Sequence, residues 1–349
     1  MAEETTTLSY WLNWRFFLCA LWLIIALIAA AILIIIFEVF NKKPSRKKDN
    51  EHDVEPIRIL YEDETWRTSL KKLHPVWLLV SRLIAFGVML SIIIANLIHS
   101  GPNVLFFYTQ WTFILVTFYF GLGSSLSIHG CYKYWNEIGD DDNNNHVLDP
   151  ERGTCLHIMP INPNNHKETH VRKTAGIWGY SFQIIFQICA GAVVLTDSVF
   201  WFIIYPIYLR PTGYTFNFFD VCLHSLNVIL LLIDVILNRL RFPFFRLAYF
   251  ALWTCIFVIF QWIVHACVSM WWPYPFLDLS SPHAPIWYLG VAFIHLPAYG
   301  FFALLVRGKQ LLLSRGEILF DEMNVTPSSS ISAASADTVF SNAASSSDS

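Results

Sequence analysis

The chain has 349 residues, of which 55% are hydrophobic and only 14% charged, with a formal net charge of −3. Soluble domains carry about 25% charged residues, so this composition excludes an ordinary water-soluble globular protein and points to a polytopic membrane protein. The total charge says little by itself; its distribution along the chain says more.

Residues 1–15 open with the acidic, polar MAEETTT, the opposite of the basic start of a signal peptide. The first apolar run, 16–38, is long enough to cross a bilayer. A loop at 39–75 follows, with nine Lys and Arg, five of them in NKKPSRKK. Six further runs qualify as spans, near 76–98, 104–129, 176–197, 216–237, 247–268 and 286–306. The expected fold is therefore an all-α polytopic membrane helix bundle of seven spans: an extra N-terminal helix and a six-span core at 76–310. The tail, 311–349, is rich in serine and alanine and too poor in apolar residues to bury a core.

Lysine and arginine recur in every second connection: 39–75, 130–175, the turn with Arg239, Arg241 and Arg246, and the C-terminal flank with Arg307, Lys309 and Arg315. The other side carries only Arg15 and Arg210. This asymmetry predicts an integral membrane protein with its N-terminus outside or lumenal and its C-terminus cytosolic. The 42–48 cluster reads as a topology determinant near anionic lipid, with no nucleic acid implied. Asn324-Val325-Thr326 fits the glycosylation sequon and is expected to stay unmodified in the cytosol. Tryptophan and tyrosine near the run ends read as interfacial anchors.

No metal site or cofactor is expected. The run GDDDNNNHVLD at 139–149 reads as a solvated loop, since no second ligand cluster matches it. The seven cysteines are scattered without a CxxC pair, which argues against a zinc site or a disulfide framework. GLGSS at 121–125 reads as a place of close helix packing.

The fifth span carries Asp220, His224, Asn227 and Asp234 at helical spacing on one predicted face. Polar groups inside a span should face the bundle interior or a water-filled cavity. Asp220, one turn before His224, is placed to orient its imidazole. An interhelical hydrogen-bond network explains the same stripe. Thr109, in FFYTQWTF, enters from the same side at a depth within about 5 Å of His224, so a nucleophile–base contact is geometrically allowed. Threonines in membrane helices ordinarily bond their own backbone. Gln261 with His265 and His295 with Tyr299 form further i,i+4 pairs in spans six and seven.

Four segments carry a resemblance: FYTQW around Thr109, SVFWFIIY at 198–205, LHSLNVILLLID at 223–234 and WIVHACVSMWWPYPFLD at 262–278. In this order the chain resembles the androgen-induced-gene family of membrane proteins, in its plant and insect rolling-stone-like branch. Members known as enzymes are threonine hydrolases that cleave fatty acid esters of hydroxy fatty acids. The resemblance implies Thr109 as nucleophile and His224 as catalytic histidine, with Asp220 where the family often has asparagine. It implies a lipid ester substrate held among spans three, five and six, near Gln110, Trp111, Asn227 and His265. The sequence does not identify the oxyanion donors; Gln110, Trp111 and Asn227 are candidates. The first span, the longer 130–175 loop and the serine-rich tail depart from the family core. A non-enzymatic role in adhesion, fusion or signalling is the alternative.

Overall fold

A computed structural model describes residues 5–40, 59–70, 73–144 and 172–343, the side chains of 137–144 and 317–343 excepted. It falls into two units, Met1–Ala303 and Leu304–Ser349. Seven helices are long and apolar enough to cross a membrane: α1 Trp14–Val39, α2 Pro75–Ser100, α3 Tyr108–Asn136, α4 Ile177–Thr212, α5 Phe218–Leu237, α6 Phe244–Cys267 and α7 Ala284–Gly316. The chain is thus an integral, multi-pass, all-α membrane protein. Among the described residues the one β contact is an isolated bridge from Tyr61 to Thr174.

Local chemistry sets the helix ends. Asn13 caps α1 by accepting from the Phe16 N–H at 2.9 Å. Pro75 opens α2 behind His74, whose Nδ1 accepts from Val76 N–H. Gly101, at φ 75°, stops α2 in a conformation that favours glycine, and Pro102 follows. That turn delays α3 to Tyr108, four residues beyond its predicted start. The helix then runs to Asn144, so the predicted 130–175 loop begins as helix. Gly130 permits this stretch to lie on Trp66, because a Cβ there would meet the indole Cγ at 2.1 Å. The rest of the loop to 171, the 42–48 cluster and the 344–349 end lie outside the described residues. The last helix continues to Ala343 through the segment expected to lack structure; its alanines are strong helix formers.

Small residues also set the packing predicted at GLGSS. A Cβ on Gly123 would meet the Phe182 ring at 2.9 Å and the Arg82 stem at 3.3 Å. Arg82 and Asp234 are 0% and 1% exposed and meet at 2.8 Å. Arg82 Nη1 donates to the Thr65 carbonyl and to Ser127 Oγ, both at 2.8 Å. Asp234 also accepts from Tyr119 Oη and, at 2.8 Å, from Asn238 Nδ2. Part of the predicted stripe is thereby a structural knot joining α2, α3 and α5.

The segment 59–70, inside the predicted basic loop, is packed structure. Leu60 is buried and its carbonyl accepts from Ala175 N–H at 2.9 Å. Glu64 pairs with Arg241 at 2.8 Å. At the other face of the bundle, residues 5–13 fold over the 271–281 turn. Tyr10 Oη donates to Asp278 at 2.7 Å and accepts from Trp272 Nε1 at 3.1 Å. Of the predicted aromatic anchors there, Tyr274 and Tyr288 are buried and Trp11, Trp272 and Trp287 are partly buried against the same cluster, while Trp14 and Trp271 are exposed.

Candidate functional site in the membrane interior

Thr109 and His224, the predicted catalytic pair, make different contacts among the described residues. Thr109 is buried at the start of α3, where its N–H donates to Tyr274 Oη at 3.4 Å. Burial holds that phenol above its ordinary range, so it stays protonated. The His224 ring is stacked on Phe200 at 3.6 Å. No hydrogen bond joins Thr109 to His224 among the described residues.

Asp220 does not orient His224. It is the N3 residue of a capping box: Asn217 Oδ1 accepts from the Asp220 N–H at 2.8 Å, and Asp220 Oδ2 accepts from Asn217 N–H at 3.0 Å. Tyr214 Oη donates to the same carboxylate at 2.7 Å. A π-helical turn at Cys222–Leu226 then shifts the helix register, which breaks the i,i+4 facing of Asp220 and His224. The carboxylate facing the imidazole is Asp197 of α4, whose Oδ1 lies 3.9 Å from His224 Nδ1. Asp197 Oδ2, His224 Nδ1 and the Nδ2 of fully buried Asn227 are all enclosed without a hydrogen-bond partner.

Gln110 is buried, Trp111 donates to the Leu105 carbonyl at 2.9 Å, and His265 stacks on Trp272 at 3.7 Å while its Nδ1 bonds the Gln261 carbonyl at 2.8 Å. None of these, nor Asn227, lines either cavity described next.

Two apolar cavities lie inside the bundle, of about 170 Å³ and about 60 Å³. They share a wall of Thr254, Val258, Phe276, Leu277 and Val291. The larger opens among α1, α6 and α7; the smaller adjoins Tyr108, Thr109 and Thr196. At the shared wall, three polar side chains form a hydrogen-bonded chain. Thr254 Oγ1 lies 2.8 Å from His295 Nε2 and 2.8 Å from Tyr108 Oη.

The proton order in this chain follows from what each atom can do. His295 Nδ1 lies 2.7 Å from the Val291 carbonyl, which only accepts, so Nδ1 carries the hydrogen. In the neutral ring Nε2 is then an acceptor, and Thr254 donates to it. The Phe250 carbonyl competes for that hydrogen only from 3.4 Å. Thr254 has one hydrogen, so Tyr108 Oη donates to it in turn. A hydroxyl aimed at a tautomer-fixed imidazole is the arrangement of a nucleophile and its general base. Both groups are nearly buried, at 9% and 7% exposure.

Sequence reasoning marked His295 only as one of a pair with Tyr299. Tyr299 instead donates to the Pro243 carbonyl at 3.1 Å. An imidazole on an otherwise apolar helix was the available signal; Thr254 carried none.

Comparison with known protein families, curated proteins and solved structures finds no match.

Proposed function

We propose that the chain is a membrane-embedded threonine hydrolase of lipid esters. The observation that carries this reading is the Tyr108–Thr254–His295 chain of 2.8 Å bonds at the wall common to two apolar cavities. Thr254 Oγ attacks the ester carbonyl carbon while its proton passes to His295 Nε2. The imidazolium protonates the departing alkoxide, leaving an acyl group on Thr254. Water, giving its proton to the neutral Nε2, releases the acid and restores the hydroxyl. Tyr108 Oη, donating to Thr254 Oγ1 at 2.8 Å, holds that hydroxyl in place for proton transfer to His295. The reaction class is the one the androgen-induced-gene resemblance implies; the residues that perform it differ.

Thr109 with His224 is the second reading, favoured by Thr109 lining the smaller cavity beside Thr254. Fluorophosphonate labelling and hydrolysis of a fatty acid ester of a hydroxy fatty acid separate the two. Thr254→Val and His295→Gln are expected to abolish both signals; Thr109→Val and His224→Gln are expected to retain them. The reverse pattern assigns the chemistry to Thr109. Wild-type protein that neither labels nor hydrolyses refutes an enzyme and leaves the adhesion, fusion or signalling role. The orientation belongs to the same proposal, with the N-terminus outside and the C-terminus cytosolic, on the Lys and Arg asymmetry. A glycan on Asn324 overturns it.

A further inference from the structure

The first span is little buried, yet it is pinned at both ends. At one end, Arg15 donates to the Ser280 carbonyl, and Phe16 packs on Trp262 with ring centres 5.2 Å apart. At the other end, Arg246 Nε donates to Glu38 at 2.8 Å and Phe37 stacks on Phe245 at 5.0 Å. Between these attachments the larger cavity separates Trp22, Leu23 and Ala26 from α6 and α7. Three alanines, Ala26, Ala251 and Ala292, leave the room, and Leu296, which is 47% exposed, carries the wall to the lipid-facing surface.

From this geometry we infer that the larger cavity binds one hydrocarbon chain of a lipid, with the first span as its outer wall. A cavity of about 150 Å³ with apolar walls stays dry and admits benzene, and this one is about 170 Å³. Water needs two to four polar partners; Thr254 and His295 on the wall already bond each other, and the Tyr288 hydroxyl already bonds Trp262 Nε1 and the Leu277 carbonyl. The surrounding solvent is itself lipid tails, which enter past Leu296. The inference deepens the hydrolase reading by naming the fatty acyl class as the group beside Thr254. Binding of the chain does not require that Thr254 react.

The test uses the full chain in phosphatidylcholine bilayers with a photoactivatable diazirine fatty acid, offered free or as the second chain of phosphatidylcholine. Crosslinks are expected on the peptides holding Trp22–Ala26 and Tyr288–Leu296. The source that labels identifies a free acid or a phospholipid chain. A phenyl ring occupies the cavity, so Ala26→Phe is expected to cut labelling at least about tenfold, the equivalent of excluding two buried methylenes. Ile25→Phe, at a neighbouring lipid-facing position 47% exposed, is the control and keeps full labelling. Equal labelling of both variants, or labelling from neither source at these peptides, overturns the inference. Chain labelling in a protein without hydrolase activity supports the binding site and sinks the catalytic reading alone.

Discussion

Removing one member of the buried ion pair should do far more damage than removing both. Arg82 and Asp234 are almost wholly enclosed and meet at 2.8 Å. At an effective dielectric constant of about 20 their attraction is about 6 kcal/mol, which is comparable to the several kcal/mol each ion loses on leaving water. The pair therefore contributes little net stability. Asp234→Leu strands a guanidinium that stays charged, and Tyr119 and Asn238 lose their acceptor. Breaking such a pair costs about 3–5 kcal/mol, whereas replacing both members with apolar groups is often neutral. The Arg82→Met, Asp234→Leu double variant should recover most of the loss, giving a coupling of about 3 kcal/mol, the top of the usual range. Single interhelical hydrogen bonds in membranes average about 0.6 kcal/mol and cannot supply that coupling. The assay is reversible unfolding in mixed detergent, followed through tryptophan fluorescence, on wild type, both singles and the double. A loss under about 1 kcal/mol in Asp234→Leu, or strict additivity, refutes the reasoning.

Glu62 gives a pH-dependent contact. Burial pushes its carboxyl up, but Lys133 at 3.3 Å and Lys173 at 3.4 Å more than offset this and hold it below its ordinary 4.5. A depressed acid stabilises the fold above its unfolded value and loses that contribution as the pH falls through 4.5 and below. Hydrogen exchange of residues 59–66 should accelerate there in wild type and show a flat profile in Glu62→Gln. Glu38→Gln removes the charge beside Arg246 and should cost about 1–3 kcal/mol, read as faster exchange at residues 35–39. Gly191→Ala places a Cβ 2.5 Å from the Phe250 ring, which packs 4.4 Å from His295. About 1–3 kcal/mol of overpacking strain and weaker labelling of Thr254 are expected together; normal labelling would separate that contact from the site.

The seven spans were legible because crossing a bilayer demands a long apolar run, and that demand leaves a long signal. The predicted boundaries fall within about two residues of the observed ones where a capping or breaking residue acts locally, at Asn13, Pro75 and Gly101. They slipped where tertiary contact decides, as in α3, which runs past its predicted end along Trp66. The 59–70 segment was hidden for the same reason. Its order comes from Lys173, Arg172 and Arg241, which lie far along the chain.

The site was less legible because i,i+4 reasoning pairs residues on one helix and assumes a regular register. Asp220 obeys a still more local rule, the capping box, and the π turn after it rotates His224 toward Asp197. The contacts with chemical capacity join different helices, Thr254 with His295 and Asp197 with His224. What brings the first pair together is steric. Gly191 lets α4 approach Phe250 on α6, Phe250 packs against the His295 ring, and Thr254 stands one turn beyond Phe250. A single missing methyl group thus helps set the position of an imidazole on a third helix. No spacing rule within α6 or α7 contains that information.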